Sequence, residues 1–319
     1  MIQGIKTVYQ RGSQSFGLLT YQCVRAGDLS PSGLDDGPTE RPGFGLSSTL
    51  RSLLPSLCAI RHALCALLAL ILLPAVAWSA CREDHLADRL IPPAYAASVD
   101  ATLNYFGHNF FQIITGKGTS IATDPLAPGM YPDPQISADV LTIGREHINH
   151  NYVPIIRGTP QILRGLRDFG LDWNQIRVNV KDVFIYDIPV YQNGFDEGSI
   201  KGAAFVFDLG KLCIAHLGDL SHKLTAKQLK WIGKIDVALT PISGRWTMDP
   251  DTARAVIGQL KPKIAIPMHH RDNMQLVRRF AQGFPVRHLE TNTLQVSKSD
   301  LPASTEIVVL TPPGAQTWE

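Results

Sequence analysis

Cysteine is almost missing from the part of this chain that reads as folded. The sequence has 319 residues and five cysteines; Cys23, Cys58, Cys65 and Cys81 come early, and only Cys213 follows. That distribution argues against a disulfide framework. With no CxxC pair, it also argues against a zinc knuckle or a dithiol redox centre. Cys213, in "KLCIAHLGD", is expected to be a buried, unpaired strand thiol. Charge is scarce too: charged residues make up 18% and the formal net charge is +2. No basic stripe with interleaved aromatics occurs, so nucleic-acid binding drops out.

Two kinds of chain are present. Residues 1–50 are rich in Gly, Ser, Pro and Arg without sustained periodicity, and are expected to be a disordered or mis-assigned leader. Residues 51–81, "RSLLPSLCAIRHALCALLALILLPAVAWSAC", carry Arg51, Arg61 and His62 before an apolar run and small residues after it. This is the layout of a secretory signal, or else of a membrane anchor preceded by a tail. The apolar run is short for a span of about 20 residues. "WSAC" is a poor lipoprotein box, because Trp78 stands where Leu is usual, so cleavage near Ala77–Ala80 is expected ahead of lipidation at Cys81. The protein is therefore expected to be exported, periplasmic or extracellular, with a membrane tether as the alternative.

From residue 99 the pattern is that of one folded domain, expected over 99–311. "ATLNYFGHNFFQIITGKGTSIATDP" reads as three short strands and "ADVLTIG" as a fourth. "GTPQILRGLRDFG" is expected to hold a short helix ending at Gly170. "IRVNV" and "VFIYDIPVYQ" read as strands, and "AAFVFDLGKLCIAHLGD" as a hairpin about Leu209-Gly210. Helices are expected after Thr225, after Asp249 with Pro250 at the first position, and in "DNMQLVRRFAQGF". "DVALTPI", "IAIPMHH" and "EIVVL" supply the remaining strands. Strands first, then strands alternating with helices, predict an α/β layered domain.

Polar residues gather where strands end: His108, Asp124, His147/Asn149/His150, Gln192/Asn193, Asp219 and His269/His270. Loops on a rigid scaffold are where chemistry commonly sits. The segment "TIGREHINHNYV" is the densest of these, with Arg145, His147, Asn149 and His150 within six positions.

"FGHNFFQI", "IATDP", "REHINH", "AHLGDLSHKLT", "IDVALTPISG" and "IPMHH" resemble, in order and spacing, the metallo-β-lactamase superfamily. The nearest likeness is to metal-dependent hydrolases similar to the ascorbate-phosphate lactonases. "HLGDLSHKLT" together with "IPMH" is the specific part. The resemblance implies an αββα four-layer sandwich with a metal site at one edge of its two sheets. The family motif His-x-His-x-Asp-His falls on Arg145, His147, Asn149 and His150, a later family His falls on Gln192, the Asp on Asp219 and the last His on His269. The chain keeps His147, His150, Asp219 and His269 and departs at Arg145, Asn149 and Gln192. The implied first metal site is thus stripped to His147 and Asp219. The second retains His150, Asp219 and His269, with Asn149 in the Asp position. Three protein ligands suit one catalytic zinc, so one divalent metal is expected, Zn first and Mn or Fe next. Arg145 would stand in for the lost ion. A guanidinium ~4 Å from a divalent ion is repelled by roughly 8 kcal/mol at an effective dielectric near 20.

The expected function is a metal-dependent hydrolase of a small ester, lactone or phosphodiester with an anionic group near Arg145. Asp219 or metal-activated water would act as the base, and His222 as proton donor to the leaving group. The competing reading is a non-catalytic binding protein on the same fold, motivated by the three lost ligands.

Overall fold

The computed structural model describes Cys81, residues 99–192, Gly194 and residues 199–315. The leader, the apolar segment before Cys81 and Asn193 lie outside the described residues. So does the tail after residue 315.

Two sheets face each other. The first has six strands in the order β15-β1-β2-β3-β4-β5. These are β1 (Ala101–Tyr105), β2 (Phe111–Thr115), β3 (Ser120–Thr123), β4 (Val140–Ile143), β5 (Gln161–Arg164) and β15 (Thr293–Val296). The second has eight, in the order β14-β16-β13-β12-β11-β10-β9-β8. They are β8 (Arg177–Val180), β9 (Val183–Gln192), β10 (Ile200–Asp208), β11 (Cys213–His216), β12 (Val237–Pro241), β13 (Ile264–Met268), β14 (Val286–Leu289) and β16 (Glu306–Leu310). A two-stranded ribbon, β6 (Leu166–Arg167) with β7 (Asp172–Trp173), stands apart.

The period-2 alternation of the strands sorts their side chains into layers. Leu103, Ile113, Ile121 and Val140 meet Ile185, Phe205, Phe207, Leu239 and Ile266 in the core between the sheets. On the outer face of the second sheet, Tyr186, Ile188, Ala204 and Val206 pack under the helices α1 (Ala226–Ile232), α2 (Pro250–Leu260) and α3 (Met274–Phe280). On the outer face of the first sheet, Ala122, Leu141 and Ile143 are covered by Phe106, Phe110, Leu126, Ile155 and Ile156. The sandwich is the expected αββα class, with one covering layer reduced to loops and a 3₁₀ turn at Val153–Ile155.

The helices start where their caps dictate. Thr225 and Gln228 form a reciprocal capping box for α1, Asp249 accepts from the N–H groups of Asp251 and Thr252, and Asn273 accepts from those of Gln275 and Leu276.

Two sequence-based expectations fail. "GTPQILRGLRDFG" contains no α-helix: it forms β5, β6 and a 3₁₀ turn at Asp168–Gly170. The open edge of β4 takes β5 in parallel pairing. The backbone at Gly165 also runs so close to β10 that a Cβ there would lie 2.2 Å from that of Ala203, which leaves no room for a helix. Cys213 is not an unpaired thiol either; it forms a disulfide with Cys81, with the two Cα atoms 5.7 Å apart. Among the described residues no helix is long and apolar enough to cross a membrane.

Candidate metal centre

Strands β3, β4 and β5 run parallel, as do β11, β12 and β13. Parallel strands end on the same side, and the segments leaving these ends carry the polar residues: Asp124 after β3, Arg145 to His150 after β4, Asp219 after β11, and His269 and His270 after β13. The turn between β1 and β2 adds His108 and Asn109, and Gln192 closes β9.

One nitrogen from each of His108, His150 and His269 lies within 4.8 Å of the others, and all three residues are buried. His150 Nε2 stands 3.3 Å from His108 Nε2 and 3.3 Å from Asp219 Oδ2. His269 Nε2 stands 3.6 Å from Asp219 Oδ1. Zinc–nitrogen bonds of ~2.0–2.1 Å in a tetrahedron put neighbouring donors about 3.3 Å apart. The three imidazoles therefore have the spacing and donor chemistry of a divalent site, with Asp219 beside two of them through different carboxylate oxygens.

The surroundings orient these groups. His150 Nδ1–H donates to Asp124 Oδ2 at 3.1 Å, and Asp124 Oδ1 accepts the N–H of Gly144 at 2.6 Å. A carboxylate behind the imidazole selects the tautomer whose Nε2 lone pair faces the site. The carbonyl of His108 accepts the N–H of His269 at 2.9 Å, tying the two loops together. His216, on β11, donates from Nε2 to the Asn109 carbonyl at 2.9 Å and so supports the β1–β2 turn.

Backbone strain concentrates here. His108, Asp124 and His269 all adopt positive φ, at 54°, 41° and 60°. Left-handed conformations are uncommon for residues with a Cβ, and they persist where the surrounding structure imposes them. Gly218 shares this region with φ 55°, and a Cβ on it would lie 2.7 Å from the Ala203 carbonyl oxygen. That turn can therefore deliver Asp219 only with glycine before it.

Asp219 is the hub. Its Oδ2 accepts from Arg145 Nη1 at 2.9 Å and from Gln192 Nε2 at 2.8 Å, and its Oδ1 accepts from Asn109 Nδ2 at 2.9 Å. Burial would raise its pKa, but His150, His269 and Arg145 outweigh that and hold it below the ordinary carboxylate range. Burial would likewise lower His150, yet the charges of Asp219 and Asp124 and the Asp124 hydrogen bond raise it. His108 is pushed well down by burial and by the neighbouring imidazoles. His269 falls to about 4 from burial, against the pull of Asp219.

Of the residues singled out in the sequence, His150, Asp219, His269 and Arg145 come together. His147 is exposed, its ring centroid 6.1 Å from that of His150 and outside the three-histidine group. Its pKa is lowered by burial of part of the ring and by Arg145 and His150. Asn149 is half-buried, and its N–H donates to His147 Nδ1 at 3.3 Å. His222 Nδ1–H donates to the Lys223 carbonyl at 2.8 Å and Nε2 accepts the Tyr191 N–H at 3.2 Å, so the backbone uses both ring nitrogens. His270 is buried at the edge of the site, and burial lowers it to about 4. His108 was among the strand-end polar residues of the sequence but was not assigned as a metal ligand, and Asn109 was not singled out. Their signal was the tight "FGHN" turn between two strands, where a buried histidine follows a glycine of φ 94°.

A family model described as a beta-lactamase superfamily domain matches residues 102–269. A UPF0173 protein of Pyrococcus abyssi is 27% identical over 176 residues, spanning 52% of this chain and 81% of its own length. A UPF0173 metal-dependent hydrolase of Ignicoccus hospitalis is 27% identical over 194 residues, spanning 53% of this chain and 82% of its own. A crystal structure from Thermotoga maritima, of a candidate Zn-dependent hydrolase of the metallo-β-lactamase superfamily, aligns at 27% identity with a TM-score of 0.51. That alignment covers 66% of this chain and 98% of the other.

Proposed function

Since the chain belongs to the metallo-β-lactamase superfamily, whose family model spans residues 102–269, we propose that it is a hydrolase working with one divalent metal, zinc first. The observation that carries this reading is the buried group of His108, His150 and His269, close enough to share one ion, with Asp219 against two of them and Arg145 bonded to the same carboxylate. The three histidines and Asp219 would hold the ion. Bound there, it supplies a Lewis acid that polarises the scissile carbonyl or phosphoryl oxygen and makes water nucleophilic near neutral pH.

The chain's own residues divide the remaining work. Arg145 and Gln192 both bond Asp219 Oδ2 and so compete with any second ion for that oxygen, and Arg145 brings a permanent positive charge instead. With its side chain 16% exposed, the guanidinium is partly open to solvent, and its planar fork suits a carboxylate or phosphate on the substrate. This favours a small anionic ester, lactone or phosphodiester. Asp219 is a weak proton acceptor, since three N–H donors hold it charged. His147, neutral and exposed beside Arg145, is the better group to carry a proton between the site and solvent.

Metal analysis of the purified protein, with hydrolysis assays on anionic and neutral chromogenic esters and phosphodiesters, tests the reading. We expect one ion per chain, lost in His108→Ala and His150→Ala, and hydrolysis that prefers the anionic member of each pair. Absence of a stoichiometric ion under metal-replete conditions would refute it. One observation favours a non-catalytic binder on this fold: Asn149, a neutral amide, stands where the resemblance implies a metal-binding Asp. One bound ion without hydrolysis of any ester or phosphodiester would favour that alternative.

A further inference from the structure

Cys81 sits at the junction between the apolar segment and the folded domain, and two modifications compete for its sulfur. The "WSAC" sequence offers it, weakly, to a thioether lipid. The structure offers it to Cys213. Both residues are buried, Cys81 completely and Cys213 at 3% exposure. The position of Cys81 is also fixed by its backbone. Its carbonyl accepts the N–H of Lys234 at 2.7 Å, and its N–H donates to Asp208 Oδ2 at 3.5 Å. Asp208 closes β10 and Cys213 opens β11, so the socket is formed by the two ends of that hairpin together with the segment after α1. A diacylglyceryl group could not share this socket, because the sulfur has no exposed surface.

We infer that Cys81 is committed to a structural disulfide with Cys213, that the thiol is never lipidated, and that the protein matures in an oxidising compartment. The chemistry balances simply. Two thiols lose two protons and two electrons, one S–S bond forms, and a disulfide donor of the thiol oxidoreductase class is reduced to its dithiol. Such a bond persists outside the reducing cytosol, which agrees with the signal-like layout of residues 51–80. The inference does not depend on the metal centre.

Peptide mapping of the full chain, expressed with its leader and separated into membrane and soluble fractions, tests it. Free thiols are blocked with iodoacetamide before digestion without reductant. We expect one linked peptide pair containing Cys81 and Cys213, replaced by two alkylatable peptides after reduction. Cys213→Ser should leave the peptide containing Cys81 alkylatable without reduction. Mapping of the wild-type protein decides the matter even if that variant fails to fold. Alkylation of both Cys81 and Cys213 in the unreduced protein would overturn the inference. So would an acyl mass on Cys81, or a metal ion held by Cys81, Asp208 and Cys213.

Discussion

Both oxygens of Asp219 are shared between neutral or cationic donors and imidazoles: Oδ2 meets Arg145, Gln192 and His150, and Oδ1 meets Asn109 and His269. Each residue that departs from the family motif therefore has a testable consequence for metal count. If Arg145 and Gln192 exclude a second ion, the triple variant Arg145→His, Asn149→Asp, Gln192→His should bind two ions per chain against the one proposed for the wild type. An unchanged stoichiometry by mass spectrometry would remove the guanidinium from that role. His147 gives the opposite test: His147→Gln should keep the single ion and lower kcat by roughly 10²-fold, the scale of one proton-transfer group. The carboxylate and the two histidines His150 and His269 were legible in the sequence, because their motifs have fixed spacing. His108 was legible only as a strand-end polar residue and not as a ligand, because that role depends on a long-range approach: its Nε2 reaches His150 across 42 positions of sequence. Metal binding should also weaken as pH falls, since ligands must shed protons. His150 sets where this begins, because Asp219 and Asp124 raise its pKa. A metal affinity independent of pH between 8 and 5.5 would contradict this assignment.

At the scale of elements, α1 and α2 were legible from their caps, since Thr225 and Asp249 act within one helical turn, and α3 was legible from the stretch "DNMQLVRRFAQGF". The β5–β6 region was misread because a polar, half-exposed strand has little period-2 signal, and its partner β4 and neighbour β10 are remote in sequence. The join between β8 and β9 carries a pH-dependent cost. Asp187 on β9 accepts the Ile176 N–H through Oδ1 at 2.8 Å, while its Oδ2 is buried without a hydrogen-bond partner. Burial raises its pKa to about 6. An unfolded aspartate titrates near ~3.9, so between these values the native state holds the extra proton. Stability must then fall as pH rises through that window, and above it the charged group costs on the order of 3 kcal/mol at most. Asp187→Asn keeps the Oδ1 acceptor and cannot ionise. The Tm of the variant relative to wild type should therefore be higher at pH 7.5 than at pH 4.5, and an equal difference at both would refute the account.

The whole molecule buries its site at one edge of two sheets whose neighbours are mostly distant in sequence, and the Cys81–Cys213 link extends that pattern. Composition alone pointed away from it: with no other cysteine beyond residue 81, Cys213 has a partner only if one of the early cysteines reaches β11, and no local pattern announces that. The consequence for stability follows from loop length. The bond joins residues 132 positions apart, and closing a loop of this order in the unfolded chain is worth about 5 kcal/mol in the chain-entropy treatment. For a domain of this size each kcal/mol moves Tm by roughly 2–4 °C. Reduction should therefore lower the Tm of the full chain by about 10 °C or more. The Cys81→Ser, Cys213→Ser variant should melt near the reduced protein and show no further response to reductant. The metal should remain bound throughout, because the sulfur pair lies on the helix-covered face and the ligands lie at the strand ends. A reduced protein that keeps the Tm of the oxidised form would show that the unfolded chain gains nothing from the link. Loss of the ion on reduction would show instead that the two regions are coupled.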